Sequence, residues 1–179
     1  NNGTIAFGGE KAVGMAADYG HIINNNIIKT TGNESVGIYS ANGSLTENNG
    51  EILIAGNNTA GIYGVNYLDG VTDSSVLGYG NDEINISNNG KITSTGSDKV
   101  YGIYSNNIAG ATAGIVLGNG SNIDVSISNG GVGIYANNTT VTGGGIVTVG
   151  TNGLGMYAKD SNVNLTNLTM NLKGNDILG

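Results

Sequence analysis

The chain contains no cysteine, proline or tryptophan, and charged residues make up only 11% of its 179 positions. The absence of cysteine suits a chain that crosses a cell envelope unfolded, without premature crosslinks. All six basic residues are lysines and the net charge is −7, which argues against nucleic-acid binding. The only histidine, His21, has no second histidine or cysteine with which to build a catalytic or zinc site. No apolar run reaches about 18 residues, so the sequence predicts no membrane helix.

Glycine and asparagine dominate the composition, and asparagine is nearly as frequent as glycine. Both are poor in helix interiors and common in tight turns with positive φ. They alternate with short runs of Ile, Val, Leu and Thr, which favour strands. The regular apolar spacing and 38% hydrophobic content argue against disorder. The composition therefore predicts many short strands joined by turns.

A seven-residue phrase built on Gly-Ile-Tyr recurs along the chain. A repeat of about 22 to 24 residues, sometimes enlarged, is typical of a solenoid. The copies begin at Val36, Ala60, Tyr101 and Val132, with a looser copy at Leu154 and a degenerate one at Val13. The glycines at the centre of the copies are Gly14, Gly37, Gly61, Gly102, Gly133 and Gly155.

Two further segments accompany each copy. An Asn-Gly-x-Ile segment such as 49–52 precedes the tyrosine phrase, and a short apolar segment such as 163–166 follows it. Three short strands and three turns per coil predict an all-β parallel β-helix of about seven coils. We expect right-handed winding, because crossovers between parallel strands are almost always right-handed. In the fifth coil, Ile123–Ile127 is the candidate first strand, since little room remains between Ser128 and Gly133.

Alternation of side chains along each strand predicts which residues face the bore of the helix. Like residues should stack between coils about 4.8 Å apart, tyrosine on tyrosine and asparagine amide on amide. The predicted inward ladder is Ile38, Ile62, Ile103, Ile134 and Met156, with Val36, Ala60, Val132 and Leu154 beside it. The predicted outward ladder is Tyr39, Tyr63, Tyr104, Tyr135 and Tyr157.

Two coils are enlarged, and the segments 76–81 and 116–121 within them resemble each other. We therefore expect two neighbouring coils to carry loop excursions at one vertex, at about 66–83 and 106–122. Loops that leave a solenoid on one side commonly hold its binding surface. The candidate binding residues in the first loop are Tyr67, Asp69, Asp73, Tyr79 and Asp82.

The carboxylates of the first loop could also bind calcium through oxygen ligands. The alternative is a solvated acidic loop, and the nonapeptide repeat of calcium-binding β-rolls is absent. Asparagine-x-serine and asparagine-x-threonine triplets are expected by chance in so asparagine-rich a chain. The sequence therefore predicts no catalytic residue, no metal and no cofactor. The acidic loop residues are Asp69, Asp73, Asp82 and Glu83.

The Gly-Ile-Tyr-(Ser/Ala)-x-Asn phrase, with Asn-Asn-Gly-x-Ile between copies, resembles the passenger-domain repeat of large bacterial autotransporter adhesins of the fusobacterial type. The resemblance covers essentially the whole chain. It implies a non-enzymatic, rod-like segment on the bacterial cell surface, exported by type V secretion, that presents loops for adhesion. The implied partners are a host glycan, a host protein receptor or a partner bacterium. It also implies that the parent chain is anchored by an outer-membrane β-barrel.

The register at the far end bears on domain organisation. Leu178-Gly179 follows Leu154-Gly155 by one repeat length, where a further copy should open. We therefore expect residues 1–179 to be a single β-helical segment of a longer array.

Two other functions are compatible with a β-helix. A polysaccharide-degrading enzyme would need clustered carboxylates, usually with Arg or Lys on one face, but this chain has no Arg and its acids are scattered. An ice-binding solenoid would need flat rows of threonine, which Thr4, Thr30 and Thr93 do not form. The tyrosine ladder itself has two interpretations, structural stacking or a carbohydrate or protein contact surface.

Overall fold

The computed structural model describes residues 1–66, 84–108 and 113–179, which form 17 strands numbered β1 to β17 along the chain. Neighbouring strands pair in parallel, each with the strand about one coil before or after it in sequence. Each coil contributes one strand to each of three faces. The fold is therefore an all-β parallel β-helix, as the repeat predicts.

The first face carries the Asn-Gly-x-Ile segments. Isoleucine stacks on isoleucine along it, because the register aligns Ile28 with Ile52, and Ile92 with Ile123. The prediction that the fifth coil uses Ile123 in this role is confirmed. The strands of the first face are β1 (Thr4–Phe7), β4 (Ile27–Thr30), β7 (Glu51–Ile54), β10 (Lys91–Ser94), β13 (Asn122–Val125) and the second halves of β15 (Thr140–Val149) and β17 (Val163–Leu172).

The second face is a separate six-stranded sheet that carries the tyrosine phrase. Its strands are β2 (Val13–Asp18), β5 (Val36–Ala41), β8 (Thr59–Asn66), β11 (Val100–Asn107), β14 (Val132–Asn137) and β16 (Leu154–Lys159). The third face consists of β3 (His21–Asn24), β6 (Leu45–Asn48), β9 (Ile84–Asn88), β12 (Ala113–Leu117) and the first halves of β15 and β17. The third and first faces form one continuous sheet through β15.

The core is a column of aliphatic side chains inside the coils. Ile38, Ile62, Ile103 and Ile134 are 0% exposed and follow one another in register on the second face. Burying each such side chain contributes about 1.5–3 kcal/mol. The inward isoleucine ladder is therefore confirmed, and Met156 continues it at the last coil as a partly buried residue.

The corner before each tyrosine strand is built on residues with left-handed backbone conformation. Lys11, Glu34 and Asn58 have φ of 55°, 53° and 53°, respectively. Each of their N–H groups donates to a carbonyl of the next coil, for example Glu34 to Asn57 at 2.9 Å. The corner conformation is thus repeated from coil to coil, although only Asn among these three residue types tolerates it well.

The predicted second excursion, at about 106–122, is wrong over much of its length. Asn106 and Asn107 complete β11, and Ala113–Leu117 forms β12 in the third face. Ala113, Ile115 and Leu117 are buried on alternate positions, which is the pattern of a strand in the wall of the helix.

At the far end, Leu178 forms a parallel bridge with Leu154, and the Gly155 N–H donates to the Leu178 carbonyl at 2.8 Å. Leu178 is therefore in register with Leu154, as the spacing of the repeat predicts.

Candidate functional site

The five tyrosines of the repeat stack into one column on the outside of the second face. The register pairs Tyr39 with Tyr63, Tyr104 with Tyr63 and Tyr135, and Tyr135 with Tyr157. Successive ring centroids are 5.8, 4.7, 4.6 and 5.0 Å apart, with interplanar angles of 10–16°. These distances follow the spacing of parallel strands, so strand pairing sets the stack. The predicted tyrosine ladder is confirmed.

A sixth tyrosine, Tyr101, joins the column from the side. Its ring meets Tyr104 at 80° and Tyr135 at 90°, with centroids 5.1 and 6.3 Å away. Tyr101 shares its register position with Ala60 and Val132, so this position lies on the tyrosine side of the strand. The prediction that this row points into the core is therefore wrong for Val132, and equally for Val36 and Leu154, which are only partly buried.

The reason for this error is the glycine in each tyrosine phrase. A Cβ atom on Gly102 would lie 2.3 Å from Ile123 Cγ2 and 2.5 Å from the Gly133 carbonyl oxygen. Gly37 has the same relation to Ile52, at 2.6 Å. The glycines thus face inward, where they let the first-face isoleucines approach the second face closely.

Stacking also changes the chemistry of the phenols. Burial raises the pKa of Tyr63 above its ordinary value of 10.0. Burial, followed by the neighbouring phenols, also raises the pKa of Tyr104. Both effects disfavour the phenolate forms of Tyr63 and Tyr104.

The outer surface of the second face is free of charge over its middle strands. In β5, β8, β11 and β14, all of whose residues are described, no side chain is acidic or basic. Asp18 and Lys159 carry charges only on the first and last strands, β2 and β16. We call the outward residues of β5, β8, β11, β14 and β16, including the stacked rings, the tyrosine face. Because the inner rings cover one another, the face presents mainly ring edges and hydroxyl groups rather than open ring planes.

Two asparagine ladders hold the corner between the third and first faces. The inner ladder is buried: the Asn24 amide donates to Asn48 at 2.8 Å, Asn48 to Asn88 at 2.7 Å, and Asn88 to the Ser121 hydroxyl at 2.8 Å. The predicted amide stacking is confirmed here. An exposed outer ladder runs beside it through Asn2, Asn25, Asn49 and Asn89, with amide bonds of 3.0–3.2 Å.

Two neighbouring strands of the second face end side by side, at the positions followed by the two longest connections to the third face. β8 ends at Asn66, and β9 begins at Ile84. In the next coil, β11 ends at Asn107, and β12 begins at Ala113. The two strand ends are joined, since the Asn66 N–H donates to Asn107 Oδ1 at 2.9 Å and the Ile108 N–H to the Asn66 carbonyl at 3.2 Å.

The predicted binding residues of the first loop lie outside the described ranges. The same holds for Glu83 in the calcium hypothesis. Within the described ranges, no group of three or more His, Cys, Asp or Glu side chains could hold a metal ion. His21 pairs with Glu47, Nε2 to Oε1 at 3.0 Å, on the partly exposed outside of the third face. The predicted binding residues of the first loop, all outside the described ranges, are Tyr67, Asp69, Asp73, Tyr79 and Asp82.

Two hydroxyl groups face the bore without a hydrogen-bond partner among the described residues, and nothing in the sequence signalled them. They belong to Ser40 and Thr46, both 0% exposed. Thr46 stands between Ile22 and Ile86 in the apolar row of the third face. A buried unpaired hydroxyl lowers stability. Ser40 and Thr46 are therefore expected to lower the stability of the coil that contains β5 and β6.

No helix in the described part of the chain is long and apolar enough to cross a membrane. Comparison with protein-family models, with curated proteins and with solved structures found no match.

Proposed function

We propose that this chain is a non-enzymatic segment of a secreted, surface-exposed bacterial autotransporter adhesin. It acts as a rod-like scaffold that presents loops to a receptor on host cells or on other bacteria. The observation that supports the proposal is that the ends of two neighbouring strands, β8 and β11, are joined at one corner of a regular β-helix. Asn66 and Asn107 link these strand ends, and Tyr63 and Tyr104 lie shortly before them on the same strands.

The regularity of the coils supports the role of a rod. Tyrosine and isoleucine pair with their own kind along the axis, and asparagine amides bond to asparagine, so these side chains are used in holding one coil to the next. In a solenoid, each unit is stabilised mainly by its neighbours, which suits an extended spacer.

The tyrosine face supports a contact role beside the loops. Its uncharged middle strands can be desolvated without burying unpaired charges, and tyrosine is enriched in protein interfaces. A sugar stacked flat on a ring would need an open ring plane, which the inner tyrosines do not offer. We therefore propose that the first loop makes the main contact and that the tyrosine face extends it.

Deletion of residues 67–82 tests the division between rod and loop. In the preceding coil, Gly43 alone separates Asn42 from Ser44. Val65 pairs with Ala41, so Asn66 is equivalent to Asn42. Asn85 pairs with Leu45, so Ile84 is equivalent to Ser44. The deletion leaves Glu83 alone between Asn66 and Ile84, which restores the length of the shorter turn. We expect the variant to keep its circular dichroism spectrum and its melting temperature.

Adhesion is then measured with beads coated with the intact chain, the deletion variant or albumin. The beads are washed over cultured epithelial cells and over immobilised bacteria. Retention of intact-chain beads that falls to the albumin level with the deletion supports the proposal. Equal retention of both protein-coated beads means that the first loop is not the binding site. Retention of intact-chain beads no better than albumin contradicts an adhesive role, and turnover of acidic or neutral polysaccharides by the chain would favour a β-helical enzyme instead.

A further inference from the structure

We propose that Asn119 is a site of spontaneous covalent modification, at which the side-chain amide is converted to a carboxylate through a cyclic imide. The chain contains seven Asn-Gly dipeptides, the sequence most prone to this reaction because glycine leaves the following N–H unhindered. They begin at Asn2, Asn42, Asn49, Asn89, Asn119, Asn129 and Asn152. The structure separates Asn119 from the others.

The reaction needs two groups to be free at once. The nitrogen of the following glycine attacks Cγ of the asparagine, and ammonia leaves as a five-membered imide closes. Water then opens the imide at either carbonyl, giving aspartate or isoaspartate. The net change is loss of ammonia and gain of water, and no oxidant or cofactor takes part. A hydrogen bond from the glycine N–H or from the asparagine amide therefore slows the first step.

In the asparagine ladder, both groups are held. The Gly50 N–H donates to the Asn24 carbonyl at 3.0 Å, and the Asn49 amide donates to Asn25 at 3.1 Å. One coil further, the Gly90 N–H donates at 2.9 Å to the Asn48 carbonyl. The ladder that stabilises the corner thus also protects its own asparagines.

The other interior dipeptides are held in different ways. The Gly130 and Gly153 N–H groups each donate to a carbonyl at 3.0 Å, and the Asn152 amide donates to Asn129 at 2.8 Å. Asn42 is 0% exposed, and its amide donates to Asp18. At Asn2, the N–H of the following Gly3 donates to Asn1 Oδ1 at 3.1 Å.

Asn119 lies where the outer asparagine ladder ends. Residues 118–121 connect β12 to β13, whereas the shorter segment 89–90 connects the paired positions of β9 and β10. The longer connection forms a turn, closed by the Ser121 N–H donating to the Gly118 carbonyl at 2.9 Å, with Asn119 and Gly120 exposed at its tip. Among the described residues, neither the Asn119 amide nor the Gly120 N–H has a hydrogen-bond partner.

The modification would add one negative charge to a surface turn. Isoaspartate would also lengthen the backbone there by one carbon. Because the flanking residues Leu117 and Asn122 are fixed in the sheet by pairing on both sides, we expect the coils to keep their register.

The test is a time course on the folded chain at mildly alkaline pH in isotopically heavy water, followed by proteolysis and mass spectrometry. We expect Asn119 to convert at least about tenfold faster than Asn49 or Asn89, whose hydrogen bonds must open first. In denaturant, the protection is gone, so the interior dipeptides should convert at similar rates. The Asn119→Gln variant should lose the early charge change and keep its circular dichroism spectrum, since glutamine does not readily form the five-membered ring.

Two results would overturn the proposal. One is that Asn49, Asn89, Asn129 or Asn152 converts as fast as Asn119 in the folded chain. The other is that Asn119 leads by the same factor in denaturant, which would assign its reactivity to local sequence rather than to its position beyond the ladder.

Discussion

Ile103 and Tyr104 are adjacent on β11 and point to opposite sides of the sheet. Replacing each in turn compares the stability contributed by an inward residue with that contributed by an outward residue. Ile103 is 0% exposed between Ile62 and Ile134. Tyr104 is partly exposed, between two stacked rings and against the edge of Tyr101. We predict that Ile103→Asp lowers the free energy of unfolding more than Tyr104→Ala does.

The magnitudes differ because the environments differ. Ile103→Asp loses about 1.5–3 kcal/mol of apolar burial. It also places an unpaired carboxyl group among isoleucines, which costs about 3–5 kcal/mol if the group stays charged. Tyr104→Ala loses three aromatic contacts at about 0.5–1.5 kcal/mol each, together with part of the burial of one ring. The expected losses are about 5 kcal/mol or more for Ile103→Asp and about 2–4 kcal/mol for Tyr104→Ala.

The assay is urea unfolding followed by circular dichroism, with Ile103→Val as the conservative control at a cost of about 1 kcal/mol. The aspartate variant has an internal check. Burial raises the pKa of the new carboxyl group in the folded state, so its stability deficit should shrink as the pH falls from that raised pKa to about 4 and then stay constant, because both states are protonated below that pH. A larger loss for Tyr104→Ala than for Ile103→Asp would mean that inside and outside are exchanged and would refute the assignment.

Three further predictions follow from particular contacts. Gly102→Ala should lower the free energy of unfolding in urea by about 1–3 kcal/mol, because its Cβ would meet backbone and core atoms. The control Gly3→Ala, with no atom within 4 Å of the added Cβ, should leave that free energy nearly unchanged. Equal effects of the two substitutions would refute the close packing at Gly102. Thr46→Val should increase the free energy of unfolding by about 1 kcal/mol, because it removes an unpaired buried hydroxyl, and should therefore raise the melting temperature. A lower melting temperature would show that the hydroxyl has a partner. The raised pKa values of Tyr63 and Tyr104 predict stability that is fully present below the unfolded phenol pKa of about 10 and is lost as pH rises through the folded values; alkaline unfolding that starts well below pH 10 would contradict this.

The spacing of the repeat was sufficient to predict three faces, parallel pairing, and the isoleucine and tyrosine ladders. This succeeded because in-register strands bring equivalent residues together, so the sequence period alone fixes the neighbours of Tyr63 or Ile62. The same logic found Ile123 as the first strand of the irregular fifth coil.

The wrong predictions concern positions where side chains do not alternate between inside and outside, and a segment whose sequence resembles another that was expected to be a loop. Gly37 is inward beside the inward Ile38, so Val36 falls on the tyrosine side, and strict alternation along the strand misses this. The likeness of 116–121 to 76–81 suggested a loop, yet Ile115 and Leu117 alternate as buried strand residues. The repeat makes no prediction for a residue outside the ladders, because only in-register strands fix the neighbours of a residue.

The central claim is that successive coils lie in register, and a disulfide crosslink tests it most directly because the chain has no cysteine of its own. Tyr39→Cys combined with Tyr63→Cys places two thiols on directly paired residues about 4.8 Å apart, within the range that a disulfide spans. Tyr39→Cys combined with Val65→Cys is the matched control. Val65 lies on the same strand as Tyr63, but it pairs with Ala41 and is therefore out of register with Tyr39. Mild oxidation of the folded protein should crosslink the first pair and leave the second reduced. Equal crosslinking of both pairs, or of the control alone, would contradict the stacked coil.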